Sequence, residues 1–202
     1  MKYIELSIES SKKICKDLAK KVSEDKQIDL VIFIAKGGFL MGKYISEYFS
    51  CPLIEINATR SGNKIKEKIK KLLTKLPKSI KKILRTFELK SNVHAQKIER
   101  NISIDDEIWK KYKKSKNILI VDDAVDTGNS MKQVYNYVET YFNDSKIYTA
   151  VINCSNMENT IFNVDYKIYE NYIVGGPWSN DSDEKKVFDK QYEEWHESQN
   201  KK

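Results

Sequence analysis

Between Val121 and Ser130 the chain reads V-D-D-A-V-D-T-G-N-S, which sets carboxylates, hydroxyls and a glycine within one short stretch. Asp122 and Asp123 are suited to accept hydrogen bonds from a sugar diol, or to hold a hard cation through oxygen. Thr127 and Ser130 add hydroxyl donors, and Gly128 lets backbone approach an anion closely. The G-x-x-x-x-G-K-[ST] spacing is absent, so this is not the loop of a nucleoside triphosphatase. Upstream, Lys36-Gly37-Gly38 places a cation before paired glycines, a second combination suited to an anion.

The flanking residues predict how these groups are held. Ile118 to Val121 is an apolar run that reads as a buried strand, with Asp122 and Asp123 where it would end. Asp126 to Ser130 then forms a tight turn, and Met131, Val134, Tyr135 and Val138 continue at helical spacing. A strand, a turn and a helix start make an anion site, because unpaired N–H groups and the helix dipole point at the ligand. The same logic applies upstream. Leu30 to Ala35 is an uninterrupted apolar run, as in a parallel strand covered on both faces, and a helix begins near Phe39 just after Lys36-Gly37-Gly38.

Around these two motifs, residues 7 to 24 read as a helix with Ile14, Leu18 and Val22 along one face. Pro52 to Ala58, Lys146 to Ile152 and Tyr166 to Tyr169 read as further strands, and residues 91 to 104 as strands of a hood. The tail from Asp181 is charged and helical, with Val187, Phe188, Tyr192 and Trp195 on one side. His94 and His196 are far apart in sequence, and neither has a second His or Cys at ligand spacing. They are expected at the surface, with no histidine-based metal site or dyad.

The net charge of +7 belongs to one segment. Arg60 to Lys90 carries 12 Lys/Arg and two Glu, whereas the remainder has 24 basic and 27 acidic residues. In this segment apolar residues fall at 65, 69, 72, 73, 76, 80, 83, 84 and 87, with Pro77 in the middle. These steps predict two short amphipathic helices, either a solvated cap over the site or a contact for an anionic membrane surface through residues 63 to 88. No nucleic-acid-binding motif accompanies the charge, so nucleic acid is not an expected partner. Cys15, Cys51 and Cys154 are dispersed and form no C-x-x-C, which favours a reducing compartment. The N-terminus has no long apolar run, so neither signal peptide nor membrane span is expected there. The expected location is the cytoplasm, peripheral at the inner membrane face if the basic segment binds lipid.

V-D-D-A-V-D-T-G-N-S resembles the phosphoribosyl-diphosphate (PRPP) signature of type I phosphoribosyltransferases, and Lys36-Gly37-Gly38 resembles their diphosphate loop. The pattern is closest to hypoxanthine and xanthine-guanine phosphoribosyltransferases. The resemblance covers residues 28 to 58 and 116 to 178. It implies an α/β fold: a Rossmann-like parallel sheet flanked by helices, with a hood subdomain and a basic helical insert. The whole chain, 1–202, is then one phosphoribosyltransferase domain. Its core lies at about 1–58 and 105–170, the helical and hood insert at about 59–104, and the C-terminal hood and tail at 171–202.

The resemblance also implies an activity, the Mg²⁺-dependent transfer of 5-phosphoribosyl from PRPP to an acceptor with release of diphosphate. PRPP would be bound by Asp122, Asp123, Asp126, Thr127, Gly128, Asn129 and Ser130 together with Lys36, Gly37 and Gly38. Mg²⁺ would be held by Asp122 and Asp123. Asp126 and Lys36 would be the catalytic pair, and Tyr172 and Trp178 would bind the acceptor. The acceptor would be a 6-oxopurine base in nucleotide salvage. Alternatively it would be a sugar hydroxyl in cell-surface polysaccharide biosynthesis, since the basic insert is similar to that of phosphoribosyltransferase-like proteins associated with surface polysaccharides. A non-catalytic PRPP-sensing regulator is a third role found on this fold. Homodimers are common in the family. Two departures from the purine-salvage pattern stand out. No lysine occurs in Phe162-Asn163-Val164-Asp165, and Pro177-Trp178 is followed by Ser179 where an Asp is common.

Overall fold

The computed structural model describes residues 2–60, 100–104 and 106–199. The basic segment expected to form two helices, together with His94, lies outside them. The elements run β1 (Lys2–Glu5), α1 (Ile8–Ser23), β2 (Leu30–Ile34), α2 (Phe39–Phe49), β3 (Leu53–Arg60), β4 (Arg100–Ser103) and α3 (Asp106–Tyr112). They continue with β5 (Asn117–Val125), α4 (Asn129–Tyr141), β6 (Lys146–Cys154), β7 (Tyr166–Glu170), β8 (Tyr172–Gly175) and α5 (Lys185–Gln199).

Six strands form the main sheet in the order β4-β3-β2-β5-β6-β7. All neighbours are parallel except β4, which pairs antiparallel with β3 at the edge. Sequence order therefore reverses between β2 and β5: the chain goes from β2 outward to β3, then returns to β2's other side. Such a switch point opens a crevice beyond the carboxyl ends of the two strands. The two anion motifs follow those two ends.

The sheet is sealed on both faces by alternation. Val31, Phe33, Leu119 and Val121 point into a layer made with α1, α2 and α5 through Leu18, Phe39, Leu40, Ile45 and Phe188. Leu30, Ile32, Ile118 and Ile120 point the other way, onto Trp109 of α3 and Met131, Val134 and Val138 of α4. β2 is buried along its entire length, as its unbroken apolar run requires. Helix α1 begins at Ser7, whose hydroxyl accepts the Ser10 N–H while the Ser10 hydroxyl accepts the Ser7 N–H. This reciprocal cap satisfies two otherwise orphaned donors.

Three expectations change. Strand β5 does not stop at Asp122: its ladder with β6 runs on to Val125 opposite Cys154, because β6 is long enough to pair with it. The acids are thus held inside a strand. Of residues 91 to 104, read as hood strands, 91–99 lie outside the described residues, and Arg100–Ser103 extends the main sheet through β3. The hood sheet in the described residues is β1 paired in parallel with β8, from Lys2 opposite Tyr172 to Glu5 opposite Gly175. Four residues at the chain start were too few to signal a strand by alternation.

Along α5, Phe188 and Tyr192 are buried and Trp195 is partly so, but Val187 is 51% exposed. Val187 precedes Phe188 by one position, about 100° around the helix and off the buried stripe. Tyr192 and Trp195 stack edge-on against Phe33 and Phe39, so α5 closes the layer beneath the β2 loop. Truncating Phe188 to Ala is expected to cost about 3–5 kcal/mol. Urea denaturation would measure this as a lowered midpoint, and an unchanged midpoint would show that α5 does not belong to the folding unit.

Candidate active site

The two motifs meet at the switch point. Asp123 follows Val121 by two residues, and strand alternation turns it toward the same face as Phe33 and the α2 layer. There it meets the turn Ala35–Gly38. A methyl group on Gly37 would overlap the Asp123 carboxylate, and one on Gly38 would lie 2.7 Å from the Val121 carbonyl oxygen. Gly38 is crowded by the backbone of β2 and β5, and at Gly37 a side chain would compete with the Asp123 carboxylate for the same space. The Ala35–Lys36 peptide bond is cis. Asp122, on the other face, accepts the Asp123 N–H through Oδ1 at 2.9 Å.

The turn after β5 is closed by a left-handed glycine and hydroxyl contacts. Gly128 caps α4 with φ of 81°, in the left-handed region that favours glycine. A Cβ there would also come within 2.8 Å of the Phe162 Cβ and 2.9 Å of the Thr160 hydroxyl oxygen. Thr127 accepts from the Asn129 side-chain amide at 3.1 Å, and its carbonyl takes the Ile161 N–H at 2.9 Å. The turn proper is Asp126–Gly128. Asn129 and Ser130 already belong to the first turn of α4, where helical N–H groups face outward.

Lys36 is exposed, and its ammonium lies 4.9 Å from the centroid of the Tyr192 ring. Tyr192 donates to Glu55 Oε1 at 2.7 Å. Burial, reinforced by the Glu55 carboxylate, pushes its phenol well above the usual range, so it stays protonated and keeps donating at neutral pH. His196 is not a simple surface residue, since its Nε2 lies 2.7 Å from Glu55 Oε2. The C-terminal helix thus braces the Lys36–Gly38 turn, a connection no motif in the sequence advertised.

Next to the carboxylates is a cavity of about 160 Å³. Asp123, Asp126, Asn153 and Ser155 supply its polar wall, and Ala124, Ile173 and Val174 the rest. A cavity of about this size holds a benzene-sized ring. Tyr172 and Trp178 are not in that wall. Tyr172 packs beside Tyr169 with ring centroids 5.5 Å apart, and Trp178 packs against the α1/α2 layer. The residue following Tyr172 faces the cavity, as period-2 alternation dictates. Asn153 and Ser155 were missed from sequence. The available signal was an amide at the end of the otherwise apolar run Ala150 to Ile152. The lysine-free stretch 162–165 is structural: Asp165 accepts from both the backbone and hydroxyl of Thr149 at 2.8 Å.

Residues 6–159 match the family described as the phosphoribosyl transferase domain. The chain belongs to this family. It is accordingly a phosphoribosyltransferase with the type I α/β fold. Among solved structures, it is similar to the xanthine-guanine-hypoxanthine phosphoribosyltransferase of Helicobacter pylori. The two share 20% identity and a TM-score of 0.56, over 87% of this chain and 91% of that one. The purine phosphoribosyltransferase of Pyrococcus horikoshii aligns at 19% identity and a TM-score of 0.59, covering 89% and 95% of the two chains. A hypothetical protein from Neisseria gonorrhoeae with bound ppGpp aligns at 15% identity and 0.60, covering 94% of each. At these identities the likeness is one of fold. No curated protein matches the chain by sequence. No helix among the described residues is long and apolar enough to cross a membrane.

No group of three or more His, Cys, Asp or Glu among the described residues could cage a metal ion. Mg²⁺ usually takes one or two protein oxygens and completes its shell from water and substrate phosphates, and the Asp123 carboxylate at the glycine turn has the chemistry for one of them, whereas Asp122 points to the other face of β5.

All three cysteines are free thiols. Burial pushes Cys15 up to about 12 and Cys51 and Cys154 up to about 11, so all are protonated at neutral pH. Iodoacetamide at pH 7.5 is expected to label Cys15 and Cys154 only after unfolding, as read by mass spectrometry. Rapid labelling of native Cys154 would mean that the cavity end of β6 is open. Replacing Gly128 with Ala is expected to lower stability by about 1–3 kcal/mol through left-handed strain and the Phe162 contact. Chemical denaturation would check the loss.

Proposed function

We propose that the protein transfers 5-phosphoribosyl from PRPP to a purine base, with Mg²⁺ as cofactor and diphosphate as the leaving group. The observation that carries this reading is the seating of the Lys36–Gly38 turn on Asp123, next to a ring-sized cavity lined by Asp126. The glycine turn and Asp123 thus lie beside a space that an acceptor could occupy.

In this reading the Asp126–Ser130 turn holds the 5-phosphate through backbone N–H groups and hydroxyls. Asp122 and Asp123 accept hydrogen bonds from the ribose hydroxyls. Held by Asp123 and substrate oxygens, Mg²⁺ would offset the charge of the diphosphate. Lys36 and the glycine backbone stabilise the negative charge that develops as the bond from the anomeric carbon to diphosphate breaks. The acceptor nitrogen bonds to the anomeric carbon from the opposite side, and Asp126 receives or holds the proton that nitrogen loses. Transfer to a glycan hydroxyl and attachment to a membrane surface depend on residues 63–88, which lie outside the described residues, and no described feature favours them.

The test is diphosphate release from PRPP and Mg²⁺, with and without hypoxanthine, guanine, xanthine and adenine. Base-dependent release is expected; release indifferent to every base would sink the purine reading. In Asp126→Asn, kcat should fall by about 10²-fold or more, the usual contribution of a positioned acid–base group. PRPP binding should be largely kept. Unchanged turnover would remove Asp126 from the chemistry.

A further inference from the structure

The transfer chemistry leaves one buried carboxylate without a task. Glu55 of β3 stands opposite Phe33 of β2, and side chains at paired positions of neighbouring strands share a face. Its side chain, 11% exposed, therefore enters the aromatic layer of Phe33, Phe39, Tyr192 and Trp195. An apolar residue of similar size would fill that place without the cost of burying a charge. Both carboxylate oxygens are turned to α5. Oε1 accepts the Tyr192 hydroxyl at 2.7 Å, and the buried Oε2 lies 2.7 Å from His196 Nε2, one helical turn further on. The edges of the Tyr192 ring are held as well, with the Phe33 and Phe39 centroids 6.4 and 5.2 Å away. What this fixed ring offers the site is its face. The exposed Lys36 ammonium stands 4.9 Å from the ring centroid, within the range of a cation–π contact.

We infer that Tyr192 is a positioning residue: its ring face seats the Lys36 ammonium for the donor's diphosphate, and Glu55 holds the ring in place. This rests on the phosphoribosyl-transfer reading, in which Lys36 meets the diphosphate, and adds the residue that acts through Lys36. A lysine ammonium on its flexible four-carbon stem samples many rotamers, and ordering it when the ligand arrives weakens binding. A ring beneath the ammonium removes part of that cost in advance. It does so without cancelling the positive charge, as a carboxylate in direct contact would. Glu55 is kept one ring away from Lys36 in this arrangement: it fixes Tyr192 through the hydroxyl, and Tyr192 presents only its face to the cation.

The test is a double-mutant cycle read by calorimetric titration of the intact chain with PRPP and Mg²⁺. Tyr192→Leu should weaken PRPP binding about three- to tenfold alone, and by less than about twofold once Lys36 is Met. An equal loss in both backgrounds would make Tyr192 a packing residue only and overturn the inference. Tyr192→Phe keeps the ring and should bind PRPP within about twofold of the unaltered protein; a Phe variant as weak as the Leu variant also overturns it. Because removing a buried side chain can unfold the layer, a second measurement uses the unaltered protein with ¹³C-labelled lysine. The Lys36 ε-methylene protons, assigned by their loss in Lys36→Met, should resonate upfield of free lysine through the Tyr192 ring current. They should move when inorganic diphosphate and Mg²⁺ are added. A Lys36 signal at the free-lysine position, or one that diphosphate leaves unmoved, overturns the inference. PRPP binding that persists with Tyr192 uncoupled from Lys36 strikes the inference alone, whereas no PRPP binding by the unaltered chain removes the donor-site reading with it.

Discussion

The close approach of the Lys36–Gly38 turn to the end of β5 is the constraint on which the rest of the site depends. Two backbones that almost touch can do so only where a side chain is missing, as at Gly38 against the Val121 carbonyl, and Gly37 leaves room for the Asp123 carboxylate. The contact is possible because β2 and β5 are parallel neighbours in fixed register, Phe33 opposite Val121, so that both loops emerge from the same edge. Shift that register by one residue and Asp123 would point to the opposite face, away from the glycine turn.

Burial keeps the register fixed. Each face of β2 and β5 is packed by a different helical layer, so a slip would interchange two complete sets of apolar side chains. The layer beneath the glycine turn includes α5, which contributes Tyr192 and Trp195 below Phe33 and Phe39. From the same helix, Tyr192 lies under the Lys36 ammonium while its hydroxyl is tied to Glu55 of β3. The C-terminal segment thus links the Lys36–Gly38 turn to the far side of the switch point. The hood follows a similar logic. Asn153 ties β6 to β8 through the Tyr172 carbonyl, so the cavity has walls from both sheets.

Much of this was legible in the sequence. Two uninterrupted apolar runs, each followed by an anion motif and a helical pattern, gave the strand–turn–helix units because the local chemistry and the fold agree there. Each motif was legible as a unit for the same reason: Asp122 to Ser130 and Lys36 to Gly38 are contiguous, so spacing alone groups them. The cavity wall was not. Asn153, Ile173 and Val174 come together only through the pairing of β6 with β5 and the crossing into β8, contacts between distant residues that no local period encodes. Tyr172 and Trp178 offer aromatic faces, but they lie outside the cavity wall, to which Ile173 contributes instead. The end of β5 was misplaced because acids signal a strand terminus by propensity, and pairing with a long β6 outweighs that preference.

Isothermal titration of the intact chain with PRPP, with and without Mg²⁺, tests the central claim that these two motifs form one donor site. The account predicts saturable one-to-one binding that is strengthened by Mg²⁺ and weakened about tenfold or more by Gly37→Ala, a change of ~1.4 kcal/mol or more. Absence of binding under both conditions, or affinity untouched by Gly37→Ala in a folded variant, would contradict it.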